Sequence, residues 1–249
     1  MAGTAVHGRL NWHSATVLER RQETETASTI VLDITDWPGH KAGQHVDVRL
    51  RSDDGYTAVR TYSIASAPDA ERVELTIELM PEGEVSPYLV ETIDAGSPLE
   101  VLGPIGGWFV WEPAQTDPVQ LVAGGSGIVP IMAMIRTRKQ AGRNVPFRLI
   151  YSVRAPQAII YANELGQLAS ENGGPAVTFA YTKVTPPDWP SKPKRIDAEL
   201  IGSAALTAEQ KPIAYICGPT SFVEAASGLL TQAGYEPSRI KTERFGPTG

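Results

Sequence analysis

The chain has 249 residues, and the 42% that are apolar provide enough core for one large or two ordinary globular domains. Its formal net charge of −6 argues against a nucleic-acid-binding surface, and its one cysteine excludes both an internal disulfide and a four-cysteine iron–sulfur cluster. The N-terminal residues hold no apolar leader segment, and no later segment is apolar for long enough to cross a membrane. We therefore expect a soluble, cytoplasmic protein without a nucleic-acid or membrane partner.

The first half of the chain, up to about residue 112, follows the two-residue period of half-buried β-strands. Between residues 72 and 79 apolar side chains alternate with polar ones, and further segments repeat this pattern. One short helix is predicted among them, because Ser86 is a favourable N-cap and Pro87 suits the first helical position. We predict an antiparallel sheet or β-barrel of about six strands.

From about residue 118 short buried strands alternate with helices, which is typical of a parallel sheet covered by helices on both faces. The predicted strands cover residues 119–123, 147–152, 176–181 and 212–217. The change of period places a domain boundary within residues 112–118. We therefore predict two domains, an antiparallel barrel in residues 1–113 and an α/β domain in residues 114–249.

Three helices are predicted between and after these strands. The first is expected to begin at Pro130 and to end near Gly142, and the second to cover residues 163–170. The third is expected to begin with a capping box in which Ser221 and Glu224 satisfy each other's backbone N–H groups.

A glycine-rich segment lies between the first parallel strand and its helix, and it contains Gly124, Gly125, Ser126 and Gly127. Glycines here let the backbone approach a pyrophosphate, whose charge the helix N-terminus favours. A plain tight turn is the alternative, since Pro130 replaces the third glycine of the usual dinucleotide fingerprint. The position of the segment in the first strand–helix unit favours a nucleotide-binding loop.

Two more segments lie at predicted carboxyl ends of strands, where ligands of open α/β sheets bind. Their residues are Cys217, Gly218 and Pro219, and then Glu243 and Phe245. By itself a lone cysteine is better explained as a small buried hydrophobic residue, and a C-terminal segment as a frayed tail. The four histidines lack acidic or cysteine partners at ligand spacing, so we expect no metal site.

Arg60, Thr61, Tyr62 and Ser63 lie together on a predicted strand that runs into a turn. One explanation is an exposed, polar strand end. The other is a site for an aromatic, anionic ligand, because an arginine fork suits a phosphate and a phenol suits an aromatic ring. The residue types alone leave both explanations open.

In chain order these motifs resemble those of the ferredoxin–NADP reductase superfamily, the flavin reductases with a front barrel and a nucleotide-binding domain. Residues 60–63 resemble its R-x-Y-S flavin motif. Residues 82–86, which contain Gly83, Val85 and Ser86, resemble its second flavin loop, and residues 103–109 resemble the turn after its last barrel strand. The match extends over nearly the whole chain, and the order of the motifs is its most specific feature.

The second half of the chain continues this resemblance. The glycine-rich segment is similar to the family's pyridine-nucleotide loop, and residues 217–219 are similar to its nicotinamide-side loop. Glu243 and Phe245 resemble its glutamate-x-aromatic ending. Residues 246–249 continue past that aromatic residue, a departure that could restrict its stacking on the flavin.

The resemblance implies that the chain binds FAD non-covalently, with FMN as the alternative that the motif leaves open. Arg60 would pair with a flavin phosphate, Tyr62 would lie against the isoalloxazine and Ser63 would lie near N5, with the N–H groups at the Ser86 helix start on the pyrophosphate. It also implies that Ser63, Cys217 and Glu243 form the catalytic cluster where nicotinamide meets flavin. Phe245 would stack on the flavin's open face.

The choice of coenzyme depends on the ends of the second and third parallel strands, where Ser152, Arg154, Thr182 and Lys183 are found. In the resembled family a hydroxyl followed by a basic residue is typical of NADP users, and Thr182–Lys183 has that form. Arg154 and Lys183 could equally be solvated loop charges. We favour NADPH as the hydride donor, with NADH use left open.

The resemblance implies a reductase that moves a hydride from NAD(P)H to FAD and passes electrons to a separate protein, a ferredoxin-like or oxygenase component. A reductase of free flavin or another small acceptor is one alternative. The other is a flavin-binding electron-relay subunit that does not use a pyridine nucleotide. The protein acceptor and the oligomeric state do not follow from the residues.

Overall fold

A computed structural model describes residues 10–51, 55–68 and 72–246 of the chain. The first half forms a six-stranded antiparallel sheet with the strand order β4-β3-β6-β1-β2-β5. Its strands are β1 Trp12–Thr24, β2 Ala27–Ile34, β3 His45–Arg51, β4 Thr57–Ser63, β5 Val73–Glu78 and β6 Pro98–Ile105. A bridge between Ile64 and Leu75 brings the two edge strands together, so the sheet curls into a barrel. This confirms the predicted six-stranded antiparallel architecture.

The alternation of residues 72–79 orients β5 as expected, with one informative exception. Val73, Leu75 and Ile77 are buried in the barrel core. Thr76, which the pattern assigns to the solvent face, is also buried, because that face of β5 packs against the second half of the chain. The outer face of this strand is therefore an interdomain surface.

The short helix of the first half differs from the prediction. It is a π-helical turn, Tyr88–Thr92, that buries Leu89 and Val90 against the barrel. Ser86 does not cap it, because the chain from Met80 to Ser86 turns back on itself. The Ser86 hydroxyl accepts a 2.9 Å hydrogen bond from Met80 N and lies 3.3 Å from Met80 O. The expected N-cap is thus wrong.

The second half forms a five-stranded parallel sheet in the order β11-β10-β7-β8-β9. Its strands are β7 Val119–Gly124, β8 Phe147–Val153, β9 Ala176–Tyr181, β10 Ile213–Pro219 and β11 Ile240–Phe245. The helices are α1 Ile128–Gln140, α2 Ala162–Ser170, α3 Ala198–Ala204 and α4 Thr220–Gln232. Apolar residues of α1 and α2 belong to one core cluster and those of α3 and α4 to another. This confirms the α/β domain.

Three details of the helices differ from the sequence predictions. Helix α1 begins at Ile128, because a 3₁₀ turn over Gly125–Gly127 leads directly into it, and Pro130 lies within its first turn. Helix α4 has no side-chain cap, so the expected Ser221–Glu224 capping box is wrong. Helix α3 was not predicted, although Asp197 caps it by accepting a 2.9 Å hydrogen bond from Leu200 N.

Residues from both halves share one hydrophobic core cluster. Ala42, Ala65, Phe109 and Trp111 join it from the first half, together with residues of α1 and of the parallel strands. The boundary between residues 113 and 114 itself stays a prediction. Within residues 10–51, 55–68 and 72–246, no helix combines the length and the apolar character that crossing a bilayer requires. These ranges also hold no group of three or more acidic, histidine or cysteine side chains suited to a metal ion.

Candidate functional site

Three of the predicted site residues meet at the junction of the two domains. Ser63 ends β4 of the barrel, and its Oγ donates a 3.2 Å hydrogen bond to Oε1 of Glu243 in β11. Cys217, in β10, is the register partner of Glu243 in the adjacent parallel strand. The fold therefore brings together a hydroxyl, a carboxyl and a thiol from three strands and two domains. We refer to Ser63, Cys217 and Glu243 as the junction.

Burial controls the protonation of the junction. It raises the pKa of Glu243 from 4.5 to about 7, although the hydrogen bond from Ser63 acts in the opposite direction. Burial also raises the pKa of the Cys217 thiol well above its ordinary value, and the neighbouring Glu243 charge adds to this effect. At neutral pH the thiol is therefore protonated and unreactive, while Glu243 is present in both protonation states.

The two predicted nucleotide loops pack against each other, backbone to backbone. A Cβ atom added to Gly127 would lie 2.1 Å from the Cys217 carbonyl oxygen. Cβ atoms on Gly124 and Gly218 would lie 2.7 and 2.8 Å from the ring of Phe222. The fold thus requires glycine at these positions to bring the Gly124–Gly127 and Cys217–Pro219 segments into contact.

Phe222 is a site residue that sequence reasoning missed. It lies in the first turn of α4, and its ring contacts glycines of both loops. The sequence contains only a weak signal for this residue. Phe222 is an aromatic residue three positions after Pro219, at the start of the helix that follows the Cys217–Pro219 segment. Its contacts with both loops identify it as a side chain that supports them.

The predicted coenzyme-selecting residues lie together at the ends of β8 and β9. Lys183 N donates a 2.9 Å hydrogen bond to Arg154 O, and Thr182 Oγ1 donates one of 3.3 Å to Val153 O. The side chains of Arg154 and Lys183 are exposed, and neither has an ion-pair partner within the described part of the chain. Ser152, near the end of β8, is buried. Two cations are thus presented on one rim of the parallel sheet.

The two predicted flavin segments also come together. Arg60 Nη2 donates a 2.6 Å hydrogen bond to Oε2 of Glu84, which lies in the 82–86 segment. Tyr56 OH donates one of 2.7 Å to the other oxygen, and this bond, followed by that from Arg60, lowers the pKa of Glu84. About half of the Arg60 side chain is exposed, so its guanidinium is accessible to an anionic ligand. Sequence reasoning missed both Glu84, the partner of Arg60, and Tyr56, which binds the same carboxylate.

The other residues of the R-x-Y-S motif have distinct surroundings. Tyr62 packs against the barrel core, and burial raises its pKa to about 12. Its ring is therefore fixed by packing, and its phenol is neutral at physiological pH. Thr61, on the opposite face of the strand, is exposed and donates a hydrogen bond to Asp47. Thr61 is oriented away from the barrel core.

The remaining predicted residues shape the site through the backbone or lie at its border. A Cβ atom on Gly83 would lie 3.0 Å from Met80 O, and the Val85 side chain is fully buried in the barrel. Phe245 is the last residue of β11, where it pairs with Pro219 and packs partly against the core. Residues 247–249, which continue past it, lie outside the described residues.

Two protein-family models match the chain. The model described as an oxidoreductase FAD-binding domain matches residues 20–110, and the one described as an oxidoreductase NAD-binding domain matches residues 121–228. The chain belongs to the ferredoxin–NADP reductase-like family of FAD- and NAD(P)-binding oxidoreductases. Its FAD-binding domain comes first in the chain and its NAD-binding domain second. The junction lies where these two domains meet.

Two curated relatives of this reductase family are reductase components of oxygenase systems. The chain is 32% identical to the glycine betaine monooxygenase reductase subunit of Pseudomonas aeruginosa, over 84% of the chain and 57% of that protein. It is 29% identical to the ferredoxin–NAD(P)⁺ reductase component of the naphthalene 1,2-dioxygenase/salicylate 5-hydroxylase systems of a Ralstonia species, over 83% of the chain and 61% of that protein. The chain therefore spans about three fifths of these relatives.

Solved structures share the complete reductase fold. The FAD/NAD-binding domain of nitric oxide dioxygenase from Vibrio cholerae matches with a TM-score of 0.84 and 22% identity, over 94% of this chain and 99% of that one. A ferredoxin–NADP⁺ reductase from Neisseria gonorrhoeae matches with a TM-score of 0.78 and 22% identity, over 94% and 98%. At this identity the match establishes the common fold and no more.

Proposed function

We propose that the protein is a flavoprotein reductase that moves a hydride from NAD(P)H to FAD and passes electrons to a separate protein acceptor. The observation that carries this proposal is the hydrogen bond from Ser63 of the flavin motif to Glu243 at the edge of the nucleotide-binding sheet. It joins the two cofactor-binding domains at a half-buried point flanked by Cys217. A hydride transfer requires the two cofactors to meet at such a point, held within a short distance.

The residues at the flavin end fit the proposed FAD. Arg60 has an accessible guanidinium for a phosphate, and Tyr62 has a ring fixed by packing for the isoalloxazine. Thr61, Gly83, Val85 and Ser86 belong to the same two segments, which Arg60 and Glu84 join. When bound, FAD supplies the redox chemistry by accepting two electrons and releasing them one at a time. The polypeptide supplies binding, orientation and electrostatics.

The nucleotide end fits a dinucleotide that runs from the rim to the junction. The Gly124–Gly127 segment, including Gly125 and Ser126, opens α1 and would hold the pyrophosphate on free backbone N–H groups. Ser152, Arg154, Thr182 and Lys183 would surround the adenosine ribose, with the two cations favouring a 2′-phosphate. Cys217, Gly218, Pro219 and Phe245 would border the nicotinamide.

The junction residues have defined roles in this proposal. Glu243, with a pKa of about 7, exchanges a proton readily at neutral pH and accepts a hydrogen bond from Ser63. Cys217 remains a neutral thiol and fills the space beside Glu243 without introducing a charge. The hydrogen bond to Glu243 holds the Ser63 hydroxyl in one orientation.

The names of the relatives support a protein acceptor of the ferredoxin or oxygenase type. The experiment is anaerobic reduction of the purified, FAD-reconstituted protein by NADPH and by NADH, followed by addition of a ferredoxin or of free flavin. Mass spectrometry of the released cofactor distinguishes FAD from FMN. Bleaching of the flavin spectrum, with electrons passed faster to ferredoxin, supports the proposal. A flavin that neither nucleotide reduces would contradict it in favour of an electron relay, and preference for free flavin would contradict the protein acceptor.

A further inference from the structure

A largely buried arginine joins the two domains at a second point. Arg136 lies in α1 of the NAD-binding domain, with 17% of its side chain exposed. Its Nη1 donates 2.9 Å hydrogen bonds to Ala65 O and to Oε2 of Glu74, both in the FAD-binding domain. Its Nε and Nη2 form a bidentate pair with Glu164 of α2, at 2.9 and 2.6 Å. One guanidinium thus binds three partners from both domains.

Tyr161 extends this contact into the barrel. The Arg136 guanidinium carbon lies 4.9 Å from the centroid of its ring, and the buried Tyr161 hydroxyl donates a hydrogen bond to Thr76 of β5. Tyr161 has a φ of 62°, a left-handed conformation that a bulky residue adopts only when its surroundings enforce it. Thr76 is in turn bonded to Thr29 of β2 at 2.7 Å. We call Arg136, Tyr161, Glu74 and Thr76 the interdomain clamp.

The clamp is close in sequence to both cofactor-binding segments, the flavin motif at residues 60–63 and the glycine-rich segment at residues 124–127. Ala65, whose carbonyl Arg136 binds, is two residues past Ser63, and Ala65 N donates a 2.8 Å hydrogen bond to Glu74 O. Arg136 lies eight residues beyond Ile128, the first residue of α1 after the nucleotide loop, a rigid separation of about 12 Å at 1.5 Å per residue. The clamp therefore connects the segment after the flavin motif to the helix that the nucleotide loop opens.

We infer that Arg136 is a positioning residue for hydride transfer, which sets the distance between the flavin and the nicotinamide through the clamp. This inference rests on the proposed function. Arg136 touches none of the junction residues, so its effect is on geometry. A misplacement of about 1 Å between reacting groups costs on the order of 100-fold in rate. Its loss should therefore lower the rate of flavin reduction while the nucleotide still binds.

The test compares three variants with the wild type as FAD-reconstituted proteins. Arg136→Lys keeps the charge, so Glu74 and Glu164 retain a cation, but it loses the planar fork that binds three partners. Thr76→Val removes only the hydroxyl that Tyr161 binds, and so tests the clamp if Arg136→Lys fails to fold. Lys139→Gln is the matched control, because Lys139 lies one turn further along α1 and pairs with Glu171 within its own domain.

Stopped-flow reduction by saturating NADPH or NADH should be about 10-fold or more slower in Arg136→Lys, with the nucleotide dissociation constant unchanged. Thr76→Val should show a smaller loss of the same kind, and Lys139→Gln none. Hydrogen exchange in the flavin-free proteins gives an independent readout. The amide of Ala65 should exchange faster in Arg136→Lys than in the wild type or in Lys139→Gln.

The outcomes separate this inference from the proposed function. A wild type that neither nucleotide reduces overturns the proposed function and this role with it. A wild type that is reduced, with Arg136→Lys and Thr76→Val reduced at the same rate, overturns the positioning role alone. A weaker nucleotide affinity that accounts for the whole loss of rate would likewise contradict positioning.

Discussion

The junction and the rim of the candidate site differ in how far water reaches them. At the junction Cys217 is fully buried and Glu243 is partly buried, and burial raises the pKa of each. On the rim of the parallel sheet Arg154 and Lys183 are exposed, as is Arg60 on the barrel. Electrostatic interactions are stronger where water is excluded and are weakened by screening at the surface. We therefore expect the junction to determine the chemistry and its pH dependence, and the rim to determine which ligands bind.

The largest expected effect of this difference is on stability as a function of pH. The pKa of Glu243 is about 7 in the folded protein and 4.5 when unperturbed, so the folded state binds its proton more tightly. This contribution is fully present below pH 4.5 and is lost as the pH rises through 7. It amounts to at most about 3 kcal/mol at 1.36 kcal/mol per pKa unit. Urea unfolding at pH 5 and pH 8 should show this loss in the wild type.

Glu243→Gln provides the comparison, because an amide of the same size does not titrate. Its free energy of unfolding should change less between pH 5 and pH 8 than that of the wild type. Glu224→Gln, at an exposed position on α4, should behave like the wild type. Equal pH profiles in the wild type and Glu243→Gln would show that burial at the junction has no such effect.

The next effect is on the rate of flavin reduction. Glu243→Gln should lower that rate by on the order of 100-fold, the usual minimum for the loss of a group that exchanges protons at the reacting site. Cys217→Ala should lower it less, since it removes a neutral group. Both should retain the flavin spectrum, since neither residue belongs to the flavin segments. Stopped-flow rates equal to those of the wild type would leave both residues with a packing role only.

Flavin affinity distinguishes the exposed Arg60 of the barrel from the junction. Arg60→Ala should weaken FAD binding by about 10- to 100-fold, since a hydrogen bond to a charged group contributes about 1.5 to 3 kcal/mol. Glu84→Gln should tighten FAD binding by about threefold at most, because it removes an exposed competitor for Arg60. Fluorescence titration of the flavin-free protein measures both. Arg51→Ala, at an exposed arginine on β3, is the control, and an equal loss there would indicate a general charge effect.

Coenzyme choice is the smallest expected effect, because the rim cations are solvated. The wild type should have a higher kcat/KM with NADPH than with NADH. In the double variant Arg154→Ala, Lys183→Ala the ratio of the two kcat/KM values should fall by up to about 10-fold. Lys192→Ala, at an exposed lysine after β9, should leave the ratio unchanged. A wild type that prefers NADH, with an unaltered ratio in the double variant, would contradict the role of the rim.

Features encoded within short windows of sequence were predicted well. The two-residue period gave the barrel strands, and the alternation of strands and helices gave the parallel sheet. The expected cap at Ser86 failed because its hydroxyl binds the backbone of Met80 instead. The one at Ser221 failed because α4 already begins at Thr220, which places Ser221 inside the first turn. Helix α3 was missed because seven residues, one of them Gly202, carry too short a pattern.

The sequence by itself determined the order of the motifs, the strands and loops that carry them, and therefore the identity of most candidate site residues. Tertiary structure alone decided which of them meet. Ser63 and Glu243 are 180 residues apart, and no local pattern encodes a hydrogen bond over that separation. The pairing of Arg60 with Glu84, the clamp at Arg136 and the raised pKa of Glu243 have the same origin. Each depends on burial and on contacts between elements, which exist only once the two domains have packed together.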